Sequence, residues 1–249
     1  MRQEKFGITM ELPESVKRAL DDFVREAKIV FEDRLISIVL YGSAAEGRLR
    51  KTSDVNVIVF TRSFTAADAT ALNPTLGFAA AAIDLQVMFL LEAELTTASQ
   101  LFAVKFSDIT RRRKILYGSD PFAELTISNE ALIARLRQVL LNHLLRLRYV
   151  FALKNESNDL LSQTLADSIS PLRASASSFL AIQGIRFESP KQALETVAAQ
   201  IRDDGFKKSL SIISEAREGK IAPLDQVRSA LSDILELTSS MKELIKSLL

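Results

Sequence analysis

Three dense apolar runs crowd the first half of the chain, and nothing like them follows. "LISIVLYGS" (residues 35–43), "DVNVIVF" (54–60) and "AIDLQVMFL" (82–90) are rich in Val, Ile, Leu and Phe. The first two read as strands buried on both faces, and the third as a further strand. A fourth, "ILYGSD" (115–120), is a shorter strand or extended segment ending in a glycine turn. From Ser128 onward there is no β-rich run at all. The spacing there is helical: a long amphipathic helix opened by Ser128, then helices over Leu160–Gln183, Pro190–Arg202, Gly205–Glu218 and Pro223–Leu249. Gly184, Ser189-Pro190, Asp203-Asp204-Gly205 and Gly219–Pro223 separate them. The expectation is an α/β domain over residues 1–124, a small mixed sheet with flanking helices, followed by an all-α helical bundle over 125–249. A helix with Val16, Leu20, Phe23, Ala27 and Val30 on one side precedes the first strand, and Pro13 suits its start. Thr65 to Phe78, with Pro74 and Gly77, reads as an irregular excursion. Residues 92–114 read as one helix.

Composition narrows the chemistry. The 249 residues include no cysteine, which removes disulfides, iron–sulfur clusters, thiolate zinc sites and cysteine nucleophiles. A single histidine, His143, argues against a histidine-rich metal centre or a Ser-His-Asp triad. Carboxylates, hydroxyls, amides, Lys and Arg are left, with a hard oxygen-bound metal as the natural helper. The net charge of +1 offers no global attraction to nucleic acid or an anionic membrane, so any anion must be held by a local patch. No apolar stretch is long enough to span a bilayer, and the chain reads as soluble and cytoplasmic.

The stretch with chemistry in it is "LYGSAAEGRLRKTSDVNVIVF" (residues 40–60). Gly42 lets backbone N–H groups approach an oxyanion, and Ser43 can open a helix whose N-terminus adds a hydroxyl and partial positive charge. Val55 separates Asp54 from Asn56, so on a strand both point to one face. Asp84, in the third strand, would face them if the two strands are neighbours, and Gln86 would share its face. A phosphate cradle at a strand end, with carboxylates on adjacent strands, can hold a magnesium–nucleotide. Arg48, Arg50 and Lys51 lie in the same loop and are candidate phosphate contacts. The run Arg111-Arg112-Arg113-Lys114 reads either as a phosphate-reaching patch or as a solvated helix end.

"YGSAAEG" followed by "SDVNVIV" resembles the signature of the DNA polymerase beta superfamily of nucleotidyltransferases, in particular its minimal, kanamycin-nucleotidyltransferase-like branch. That signature is a strand, Gly-Ser, a loop of about ten residues, then Asp-hydrophobic-Asp opening a second strand. "IDLQV" is similar to the later strand carrying a third acid, "ILYGSDPF" to the segment closing the minimal domain, and the helical half to the bundles that accompany it. The resemblance implies transfer of a nucleoside monophosphate from a nucleoside triphosphate to a hydroxyl acceptor, which is a small molecule, a protein or an RNA end. It implies Mg²⁺ or Mn²⁺ at Asp54, Asn56 and Asp84, and phosphate contacts at Gly42, Ser43, Arg48 and Lys51. It also leaves room for a homodimer through the helical half.

Two positions depart from the pattern. Asn56 stands where a second carboxylate is expected, and Glu46 precedes Gly47 where the family often has Arg. At an effective dielectric near 20, one unit charge at about 4 Å is worth roughly 4 kcal/mol, only part of it realised once water and phosphates compensate. Weakened metal binding or turnover follows, and with it an alternative: a regulatory module of the same fold that keeps nucleotide binding. Arg137 and His143 are spaced as in ribonucleases of helical domains that partner such transferases. On a continuous helix, however, that separation does not put them on one face.

Overall fold

A computed structural model describes residues 12–49 and 53–248. The chain divides into two compact units. The first holds the described residues up to Ser99 together with Ile109–Thr126, and the second holds Gln100–Asp108 and the described residues from Ile127 on.

The first unit opens with helix α1 (Glu14–Phe31), which buries Val16, Ala19, Leu20, Phe23, Ala27 and Phe31 at three- and four-residue spacing. Strand β1 (Leu35–Tyr41) follows, then β2 (Val55–Thr61), helix α2 (Ala66–Ile83) and β3 (Leu85–Leu91). Two short helices follow, α3 (Leu95–Leu101) and α4 (Ala103–Arg111), the greater part of α4 belonging to the second unit, and then β4 (Arg113–Gly118). The sheet is mixed, in the order β3-β2-β1-β4. β1 is antiparallel to both β2 and β4, whereas β2 and β3 are parallel in the register Val55↔Leu85 and Asn56↔Gln86. Val55, Val57 and Val59 pack with Ile38 and Leu40 into a core shared with α1 and α2. Ile58 and Phe60 turn to the other face, where Phe60 meets Phe122 edge-on at 5.3 Å.

Two expectations from the sequence change here. The excursion from Thr65 to Phe78 is in fact the start of an 18-residue helix, α2, which carries Pro74 in its interior. Its N-terminus is fixed by a capping box. The Thr65 hydroxyl accepts from the Asp68 N–H, and the Asp68 carboxylate accepts from the Thr65 N–H at 2.8 Å. The same carboxylate takes two hydrogen bonds of 2.9 Å from the Arg34 guanidinium, which reaches it from just before β1. Arg34 holds the buried Asp68 carboxyl well below the usual carboxylate range, against the cost of burial, and Thr65 lowers it further. This anchoring outweighs the two residues that suggested a break. The second change is that residues 92–114 do not form one helix: α3 and α4 are separated at Phe102, and β4 already begins at Arg113.

The second unit is all helical apart from its connections. It contains α5 (Asn129–Lys154), α6 (Asn158–Ile182), α7 (Pro190–Arg202), α8 (Lys207–Ala216) and α9 (Leu224–Lys246). Ser128 caps α5 by accepting from the Ala131 N–H, and Ser189 caps α7 by accepting from the Gln192 N–H. α6 packs against α5, α7, α8 and α9. Its buried face alternates Leu161, Leu165, Ile169 and Leu172 with Ser168, Ser175, Ser177 and Ser178, small side chains that let neighbouring helices approach closely. The helix expected from Gly205 is preceded by a 3₁₀ turn, Asp203–Phe206, with Asp203 at a φ of 24°. Among the described residues no helix is long and apolar enough to cross a membrane.

Because Asp68 serves both the cap and the Arg34 pair, Asp68→Asn should lower the melting temperature of the nucleotide-free protein by on the order of 5 °C. Its contribution is complete above the ordinary carboxylate pKa and fades as pH falls below it, so the gap between variant and parent should narrow on acidification. Calorimetry at neutral and acidic pH measures both.

Candidate active site

The end of the sheet where β1 finishes and β2 and β3 begin gathers most of the residues singled out in the sequence. Tyr41, the last residue of β1, pairs with Asn56, and Asn56 pairs with Gln86 across the parallel ladder, so all three share one face. That face is opposite the one packed on α1 and α2. Asp54 and Asp84 lie one residue before β2 and β3, and the Val55 N–H donates to the Asp84 carbonyl at 3.2 Å. Asp54 and Asp84 are both exposed, while Asn56 is half-buried.

Asp84 is not inside the third strand as expected. It is the C-cap of α2, at φ 48° and ψ 48°, and the strand starts after it. An aspartate tolerates this left-handed conformation better than most residues. Its carboxylate is held by the Gln86 side-chain amide, Nε2 to Oδ1 at 2.9 Å. Gln86, placed by the sequence only on the same face as Asp84 and given no role, is thus a partner of that carboxylate. Its signal was present: it is two residues beyond Asp84, as Asn56 is beyond Asp54.

The segment after β1 is a tight turn, Gly42–Gly47, and no helix opens at Ser43. Gly42 and Gly47 have φ of 77° and 68°. The Gly47 N–H donates to the Ala44 carbonyl and the Arg48 N–H to the Ser43 carbonyl, so the chain makes one helical turn that glycine at once closes. The hydrogen bonds of this turn are donated by Glu46, Gly47 and Arg48, which leaves the N–H groups of Ser43, Ala44 and Ala45 outside them. Successive N–H groups in such a turn form a concavity suited to an anion. Arg48 is exposed beside it, and Arg50 and Lys51 lie outside the described residues.

The basic run at 111–114 divides between partners. The Arg112 side chain pairs with Glu46 at 3.3 Å, and the Arg112 carbonyl accepts from the Gly42 N–H at 2.9 Å. Arg113 forks onto both oxygens of Asp120 and lies over the Phe122 ring. Arg111 ends α4 exposed, and Lys114 is exposed on β4. Arg112 and Arg113 thus tie the end of the sheet together, a use that neither reading of the run had anticipated.

The oxygen donors at this end are the carboxylates of Asp54 and Asp84 and the amide carbonyls of Asn56 and Gln86. Among the described residues no three His, Cys, Asp or Glu side chains form a metal-binding group. An all-oxygen set suits a hard cation such as magnesium in kind. With only two negative charges, it suits one that arrives partly coordinated by phosphate oxygens.

No protein-family model matches the chain, and no curated protein matches it. Solved structures do. One is the spectinomycin adenyltransferase AAD(9) from Enterococcus faecialis, whose crystal structure contains ATP and spectinomycin. The two superpose with a TM-score of 0.62 at 12% identity, over 90% of this chain and 99% of that one. The protein has the fold of that nucleotidyltransferase. The likeness spans the mixed sheet and the helical part alike, and at this identity it concerns the fold alone.

In the second unit, α5 is continuous from Asn129 to Lys154, so Arg137 and His143, six residues apart, lie far round the helix from each other. Arg137 is exposed, whereas His143 is half-buried with its Nε2 covered and without a hydrogen-bond partner. This geometry does not bring the two into one site. Burial pushes the His143 imidazole down to about 4, helped by the Arg146 charge. A histidine whose folded pKa is depressed stays neutral in the fold while the unfolded chain takes up a proton. The stability it permits is complete above about 6.5 and is lost as pH falls towards 4. The parent should therefore lose about 2 kcal/mol more than His143→Gln between pH 7 and pH 5, read from denaturant unfolding at both pH values.

Proposed function

We propose that the protein binds a nucleoside triphosphate at the Gly42–Gly47 turn and transfers its nucleoside monophosphate to a hydroxyl acceptor. The observation that carries this reading is the convergence, at one end of the sheet, of that turn with Asp54 and Asp84 at the starts of two parallel strands. The AAD(9) structure, which contains ATP and spectinomycin in the same fold, supports a triphosphate donor and favours a small-molecule acceptor over a protein or an RNA end.

In this reading the N–H groups of Ser43, Ala44 and Ala45, with the Ser43 hydroxyl and the Arg48 guanidinium, hold the outer phosphates. Asp54 and Asp84, aided by the Asn56 carbonyl, would hold Mg²⁺ or Mn²⁺, which when bound neutralises phosphate charge. The acceptor oxygen attacks the α-phosphorus, the bond from that phosphorus to the bridging oxygen breaks, and pyrophosphate leaves. Asp84 takes the acceptor's proton. The hydrogen bond from Gln86 orients this carboxylate before substrate arrives.

A second reading has its own observation. Asn56 faces not a carboxylate across the ladder but another amide, Gln86. A centre with two of its four oxygen donors neutral suits a module that binds nucleotide and does not turn it over.

Thermal unfolding with ATP, GTP, CTP and UTP, with and without magnesium, tests both. A nucleotide at 100 times its dissociation constant should stabilise by about 2.7 kcal/mol, and Asp54→Asn should remove the magnesium-dependent part. If no nucleotide raises the melting temperature with any divalent ion, the proposal fails. Where binding is seen, Asn56→Asp should increase metal-dependent affinity or pyrophosphate release over a pool of small hydroxyl acceptors. Binding without pyrophosphate from either protein selects the second reading.

A further inference from the structure

The Glu46–Arg112 pair joins two segments 66 residues apart in sequence, and it does so at the turn on which the proposed nucleotide site depends. Arg112 holds that turn twice. Its carbonyl accepts from the Gly42 N–H, which carries the β1–β4 ladder one step past the Tyr41–Arg113 pair. Its guanidinium then reaches Glu46, one residue before the glycine that closes the turn. The two side chains are only 22% and 23% exposed, so the pair is screened less than a surface ion pair, and removing Arg112 would leave a half-buried carboxylate at Glu46 without this partner. Between these two anchors lie Ser43, Ala44 and Ala45, whose N–H groups the turn does not use. A turn with glycine at both ends has many accessible backbone states, and anchoring both ends to one residue removes most of them.

We infer that Arg112 is a positioning residue that, through Glu46, holds the Gly42–Gly47 turn in the shape that receives a nucleotide's phosphates. The inference rests on the proposed nucleotide site. It gives Glu46 a use: this carboxylate would repel a phosphate if it stood alone in the turn, but Arg112 neutralises it while it serves as a strut. It also differs from the simpler idea that Arg112 binds phosphate directly. With direct binding, removing the Glu46 charge would take away a competitor for the guanidinium and tighten nucleotide binding. With a strut, removing either charge loosens the turn.

The experiment compares the parent with Glu46→Gln, Arg112→Gln and the exchanged pair E46R/R112E. ATP affinity with magnesium is measured by calorimetry, and amide hydrogen exchange over residues 42–48 is measured without nucleotide. Each single variant should bind ATP about tenfold more weakly and exchange faster across the turn, and the exchanged pair should recover most of both. Tighter binding by Glu46→Gln would overturn the inference in favour of a direct phosphate contact. Single variants with unchanged affinity and unchanged exchange would overturn it outright. If the parent binds no ATP, the proposed nucleotide site fails, and the exchange data alone decide the strut. It stands if the singles loosen the turn and the exchanged pair restores it, and falls if they do not.

Discussion

Parallel neighbouring strands cannot be joined by a tight turn; the chain must leave the sheet and come back. In this protein the excursion is α2, and everything at the candidate site depends on where that helix starts and stops. Its start is fixed by Asp68, which caps the helix and receives the Arg34 guanidinium from beside β1. Its end is fixed by Asp84, where a left-handed residue redirects the chain straight into β3. With both ends set, β3 enters beside β2 in a register that puts Asp84 level with Asp54 and Gln86 level with Asn56. A slip of β3 by one residue would send Asp84 and Gln86 to the face opposite Asp54 and Asn56.

β1 and β2 were legible because a strand buried on both faces needs a dense apolar run, and each has one; β3, at the sheet edge, is only partly buried, but its run from Val87 to Leu91 still marked it. The helices of the second unit were legible because Ser128 and Ser189 announce starts and glycines announce stops. α2 was misread for a physical reason. Pro74 and Gly77 are local breakers, and the helix on either side of them is alanine-rich with little contrast between its faces. What decides the matter is the cap at Thr65 and Asp68 and an arginine 34 residues upstream of that aspartate. The Thr-x-x-Asp spacing could have been seen in the sequence, but Arg34 could not.

At the candidate site the same division holds. Gly42, Ser43, Asp54 and Asn56 stood out because their spacing along one stretch carries the information. Gln86 was placed beside Asp84 but given no role, because its relevance comes from the strand it faces. Glu46 looked like a mere departure from a pattern until Arg112 was found against it, and the basic run at 111–114 looked like a patch until its members were seen to have separate partners. Ion pairs between segments far apart in the chain leave no periodic trace, which is why charge was the least legible part of the molecule. The AAD(9) likeness, at 12% identity, makes the same point for the fold: the two chains share a backbone architecture with few side chains in common.

The backbone at Asp84 has a consequence for how this centre can drift. A left-handed residue between a helix and a strand is comfortable as Gly, Asn or Asp and strained as almost anything else. Of these three, only Asp keeps a carboxylate. The smallest tolerated step, to Asn, would leave the fold intact and erase half of the negative charge that Asp54 and Asp84 supply. Position 56 already carries that amide, and position 86 carries another. The architecture that brings these residues together therefore guards their placement far better than it guards their charge.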